Sequence, residues 1–132
     1  MINDGTVRIG EEIRRLFAEN KPFRPFTAYF KHLDRILVLV KDCSIFEERV
    51  NDILTILEDN YPEKEKDKYV GFVIECARDF CLKCGLSSQR GTVRLAIVLD
   101  AIVAIYPKDV FWVDGVTRPL LKKFSLDSVA IS

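Results

Sequence analysis

VRLAIVLDAIVAIY, residues Val93–Tyr106, is apolar at twelve of its fourteen positions and is interrupted only by Arg94 and Asp100. It is shorter than the roughly 20 apolar residues that cross a bilayer. In water other elements must cover it on most sides, which puts it at the centre of the core. Six β-branched residues (Val93, Ile97, Val98, Ile102, Val103, Ile105) favour strand. The unbroken length favours helix, because strands average about 5–6 residues and no Gly, Pro or Asn divides this run. The reading adopted is one buried helix, capped by Thr92 and ended by Pro107, in preference to two strands. Asp100 is then the single polar edge of that helix, or pairs with Arg94 or another arginine. A buried, unpaired carboxylate with a shifted pKa would instead flag a functional site.

Working outward, Ile9, Ile13, Leu16 and Phe17 recur at helical spacing and predict an amphipathic helix over 6–19, stopped at Pro22. Residues 22–25 form an extended connector. FTAYFK (26–31) and RILVLVK (35–41) flank a short turn at His32-Leu33-Asp34 and predict a β-hairpin, the second strand buried on both faces. Ser44 and Glu47 match a capping box. Phe46, Val50, Ile53, Leu54 and Leu57 follow as one stripe, so a helix is predicted over 45–59. Val70, Val73, Ile74, Ala77, Phe80, Cys81 and Cys84 predict a further helix over 69–84, weakened at its start by Gly71 and closed by Gly85. Downstream of the central run, VFWV (110–113), Asp114-Gly115 and Val116–Arg118 predict a second hairpin, since Asp-Gly suits a type I′ turn. Residues 125–132 either dock on the surface or fray.

The 132 residues suit a single domain spanning 1–132. Composition is 48% hydrophobic and 30% charged, ordinary for a globular chain. Twenty basic and twenty acidic residues cancel. A surface built to neutralise phosphates needs a basic excess, so nucleic acid is not an expected partner. Zero net charge lowers colloidal repulsion and favours self-association. MINDGTVRIGEEIRRLF carries no apolar leader and has early acids, so the expectation is a cytoplasmic protein without a membrane partner. Its four cysteines are then reduced thiols.

Cys76, Cys81 and Cys84 superficially resemble an iron–sulfur spacing. On a helix, however, Cys81 and Cys84 stand about 60° apart and Cys76 and Cys81 about 140° apart, so three thiolates cannot converge. Cys81 and Cys84 with Cys43 or His32 would be needed for zinc; small buried structural residues are the simpler account, and no metal site or cofactor is assigned. Cys43 is the candidate reactive thiol, because it precedes a predicted helix N-terminus whose amide dipoles lower a thiol pKa. Asp42 beside it opposes that. No phosphate loop, dinucleotide fingerprint, zinc-protease motif or nucleophile elbow is present, so no catalytic residue is named.

These readings combine into an α+β fold: a small, mainly antiparallel sheet from two hairpins, with about four helices mostly on one face. The function expected is a non-catalytic protein-interaction or self-association module. Its contact candidates are Phe111, Trp112, Val113 and Arg118, because the second hairpin is apolar on both faces and aromatic and arginine residues dominate binding hot spots. The alternative is a thiol-reactive or zinc-binding protein using Cys43, Cys81 and Cys84 with His32.

Overall fold

A computed structural model describes residues 22–86 and 91–131; the helix expected over 6–19 lies outside them. The architecture is α+β. Among the described residues a five-stranded, wholly antiparallel sheet has the order β1-β2-β5-β4-β3. The first hairpin forms where expected. β1 (Phe26–Phe30) pairs with β2 (Arg35–Leu39) in the register Phe26↔Leu39 to Phe30↔Arg35. β2 is buried at every position, as its unbroken apolar run requires.

The helix expected over 45–59 is a second hairpin instead, β3 (Ile45–Arg49) and β4 (Leu54–Asp59). β4 lies between β3 and β5, so Leu54, Thr55, Ile56 and Leu57 are buried on alternating faces. A run apolar on both faces satisfies a helical stripe by coincidence. The turn is held by Asn51, whose Oδ1 accepts hydrogen bonds at 2.8 Å from the amides of both Ile53 and Leu54. An asparagine that bonds its own downstream backbone offers the chain an alternative to helix. Ser44 caps nothing: its Oγ accepts a 2.7 Å hydrogen bond from the Asn60 side chain, tying the open end of the hairpin.

Residues 69–84 divide. β5 (Tyr69–Ile74) enters the middle of the sheet between β2 and β4, and α1 (Ala77–Lys83) follows. Gly71 is required there by close approach, since a Cβ would fall 2.1 Å from the Val38 carbonyl oxygen. Cys76 breaks the chain direction in the left-handed region, φ 50°. α1 has no cap of its own and borrows one from the first hairpin. The Asp34 carboxylate accepts from the amides of Arg78 (2.7 Å) and Asp79 (3.3 Å) and from the Tyr29 hydroxyl (2.8 Å).

The central run is a helix, as read, but starts later. Thr92 and Val93 belong to β6 (Thr92–Arg94), and α2 spans Leu95–Ile105 with Arg94, not Thr92, at the cap position. It ends at Tyr106, before a 3-10 turn begun by Pro107. The second expected hairpin is helical. α3 (Val110–Trp112), a π-helical turn (Val113–Thr117) and α4 (Arg118–Lys123) follow without a break in right-handed backbone. Three features override the Asp-Gly signal. Asp114 and Arg118 pair one turn apart at 2.8 Å. Pro119, which lacks the N–H an α-helix would use, directly follows the π turn, where the α-helical bonding is already interrupted. Val113, Val116, Thr117 and Leu121 form a buried stripe. The C-terminal residues dock rather than fray: β7 (Ser128–Ala130) pairs with β6, and Val129 and Ile131 are buried.

Both faces of the sheet are apolar. Ile36, Val38, Leu54, Ile56, Phe72 and Ile74 face the helices and meet Phe80, Val98, Leu99 and Ile102. Leu37, Leu39, Leu57, Val70 and Val73 face the other way, beside Phe23, Phe26 and Phe30. The described helices thus serve one face, as expected. Among the described residues no helix is long and apolar enough to cross a membrane.

Candidate functional site

α2 buries Leu95, Val98, Leu99 and Ile102 at helical spacing. Its other side faces solvent and, apart from Asp100, is apolar: Ile97 is 43% exposed, Ile105 is 52% exposed, and Ala104 is also open. A globular helix normally puts charge on that side. Other elements cover most of this run, as expected, but leave a strip through Ile97, Ala104 and Ile105 open.

The helical run after Pro107 exposes further apolar side chains. Val110 and Phe111 are exposed, Phe111 at 61%. Along the stripe Phe111, Asp114, Arg118 the last residue reaches across to α2. Arg118 donates to Asp114 Oδ1 at 2.8 Å and to Asp100 Oδ1 at 2.5 Å. Asp100 is thus the polar edge of its helix, paired with Arg118 rather than Arg94, and not a buried acid. Partial burial disfavours the Arg118 charge, but hydrogen bonds to Asp114 and Asp100 outweigh it and raise the pKa above its ordinary value. Beside Arg118, α2 and α4 leave a hollow of about 440 Å³ floored by Leu99 and Leu121. The surface therefore carries a projecting ring, a hollow and an ion triad whose cation is already satisfied.

Of the four contact candidates, this surface includes Phe111 and Arg118. Trp112 is half-buried, edge-on to Tyr69 at 5.9 Å and to Phe111 at 5.2 Å. Val113 is fully buried and belongs to the core, a correction that follows from helical geometry replacing strand alternation. Sequence reasoning missed Ile97, Ala104, Ile105 and Val110. Asp100 was the available signal: a charged residue marks the solvent side, and Ile97 and Ala104 lie within one turn of it.

The thiol candidates do not assemble. Cys43 sits beside the sheet face opposite the helices, whereas Cys81 and Cys84 sit on the helix-covered face, so the sheet separates them. His32 is exposed in the first hairpin turn. Among the described residues no three His, Cys, Asp or Glu side chains are grouped to hold a metal ion. The argument for an activated Cys43 fails with the helix after it, because a strand offers no N-terminal dipole. Burial, then the Asp59 charge, pushes its thiol up to about 11. Burial likewise pushes Cys81 up to about 11, with the neighbouring Cys84 adding to the shift. Cys76 is exposed.

No family model matches the chain, and neither curated proteins nor solved structures gave a match. Function has to be read from the chain's own geometry.

Proposed function

We propose that this chain is a non-catalytic self-association module, and that a second copy docks on the outer faces of α2 and the α3–α4 run. The observation that carries the reading is the exposed apolar set Ile97, Ile105, Val110 and Phe111 on helices whose opposite sides are core. A patch of this kind marks an interaction site. A ring and a hollow on one face suit a two-fold contact, in which each copy presents both to the other. Arg118 meets its acids within its own chain, so docking strands no unpaired cation. Zero net charge lets like chains approach.

The test is mass in solution by light scattering or sedimentation, for the wild type and for Phe111→Glu. Phe111 is exposed, so the variant keeps its circular dichroism spectrum. The wild type has twice the chain mass at micromolar concentration. The variant has the single-chain mass, because a lost central aromatic costs about 2 kcal/mol per copy, roughly 30-fold in affinity each. A wild type that stays at single-chain mass up to its solubility limit overturns the reading.

A further inference from the structure

A cleft of about 380 Å³ opens between the end of β2, the start of β5 and the π-helical turn with α4. Its volume lies in the range of small-molecule sites. Tyr69, Val116, Leu120 and Phe124 line it as apolar wall, and Lys41, Lys66 and Lys123 stand around it with Asp67 as the acid among its lining residues. Lys41 is already neutralised by Asp59 at 2.5 Å. Among the described residues Lys66 and Lys123 have no ion-pair partner; Lys123 lies over the Phe124 ring at 5.4 Å. Apolar and polar surface thus share the cleft, and two cations without an ion-pair partner stand at its margin.

Two features of its wall depart from an ordinary helix. The π turn at Val113–Thr117 is a rare departure from α-helix that recurs at functional sites. Gly115, in the middle of that turn, weakens a helix, yet neither backbone nor packing demands it. A Cβ there meets only the Phe111 ring, at an ordinary 3.5 Å. Both features lie where the chain forms the cleft.

From this juxtaposition we propose that the cleft binds a small amphiphilic anion: one carboxylate or phosphate head held by Lys66 and Lys123, with an apolar tail lying along Tyr69, Leu120 and Phe124. This site adjoins the proposed self-association surface at Gly115, where a Cβ would meet the Phe111 ring, but its ligand is a small molecule rather than a second copy. The head supplies the missing counter-charge in charge-assisted hydrogen bonds. The tail removes exposed apolar wall from water.

The probes are decanoate and decyl phosphate, with decanol, acetate and inorganic phosphate as comparators. Trp112 is the chain's only tryptophan and lies on Tyr69, so its fluorescence reports occupancy; calorimetry gives the affinity. Decanoate and decyl phosphate bind saturably with one site per chain. The stronger of the two identifies the head group. Decanol, acetate and inorganic phosphate each bind at least about tenfold more weakly. Lys66→Glu with Lys123→Glu, both exposed and outside the core, lowers affinity for the two anions by about tenfold or more with an unchanged far-ultraviolet spectrum. Decanol binding as tightly as decanoate, full affinity in the double variant, or no saturable response to either anion overturns the proposal.

Discussion

Substituting alanine for Gly71 tests the placement of β5 by the sign of a stability change. On a helix the substitution would stabilise by about 1 kcal/mol, because alanine has less backbone freedom to lose. In β5 the new Cβ falls 2.1 Å from the Val38 carbonyl oxygen and 3.2 Å from the Leu39 Cα. The first distance is about 0.9 Å inside the 3.0 Å that real Cβ atoms respect. Neither atom ends a flexible side chain, so β2 and β5 must part. Both strands are buried and internal to the sheet, with Leu39 and Leu57 registered against Gly71 on either side. Overpacking costs about 1–3 kcal/mol. Each ladder hydrogen bond stretched by the separation adds about 0.5–1.5 kcal/mol. A total of about 2–5 kcal/mol takes a large share of the 5–15 kcal/mol that holds a domain folded. Equilibrium urea unfolding, followed by circular dichroism and by Trp112 fluorescence, measures it. With a slope of about 2 kcal/mol per molar urea, the midpoint falls by about 1–2.5 M. A midpoint equal to or above that of the wild type refutes the close approach and with it the strand.

Other expectations concern charge and thiols. Arg35 and Glu75 form a pair at 3.1 Å whose side chains are only 10% and 12% exposed, and the Arg35 Nε and Nη1 lack hydrogen-bond partners among the described residues. Glu75→Ala therefore destabilises by about 3–5 kcal/mol, while Arg35→Met with Glu75→Leu restores most of the loss in the same urea assay. The Lys41 hydrogen bond, then the Tyr61 amide, hold the Asp59 carboxyl below its ordinary value. Its contribution is present above the unfolded carboxylate pKa of about 4 and is lost as pH falls through the lower folded one. Asp59→Asn accordingly shows a shallower fall of urea midpoint with pH below about 4 than the wild type. Native alkylation at pH 8, read by mass spectrometry, labels exposed Cys76 well before Cys43 and Cys81, whose thiols burial pushes up to about 11. Equal rates at all three would contradict their burial.

The first hairpin was legible because its signals are local: two apolar runs, a short turn, and a strand long enough to be recognised without its neighbours. Residues 45–59 were misread because β4 is covered on both faces, and a strand apolar on every side carries no period of two. The Asn51-Asp52 dipeptide inside the supposed helix was the clue, and Asn51 is what turns the chain. Gly71 was likewise read as a weakness in a helix, when its reason lies in Val38, distant in sequence and adjacent in space. Asp114-Gly115 shows the reverse error. A strong local turn signal lost to the Asp114–Arg118 pair and to a buried stripe that needs the core to become visible. Phe111 and Arg118 were named from residue type and from an expected hairpin that is helical instead. Ile97 and Ile105 were hidden because an apolar residue in an apolar helix reads as core until the packing partner is known. The cleft draws on three separate segments, and no single stretch of sequence announces it.

The order of strands bears on how the chain is made. Both hairpins emerge from synthesis before β5, yet nothing in the sheet joins β2 to β4 until β5 slides between them. Without β5 the two hairpins would each expose an edge of unpaired amides and carbonyls. Whatever delays the arrival of Tyr69–Ile74, a slow codon stretch or a truncating mutation, prolongs the interval in which those edges recruit one another from different copies. The six residues of β5, the last strand of the five-stranded sheet to be made, are its keystone.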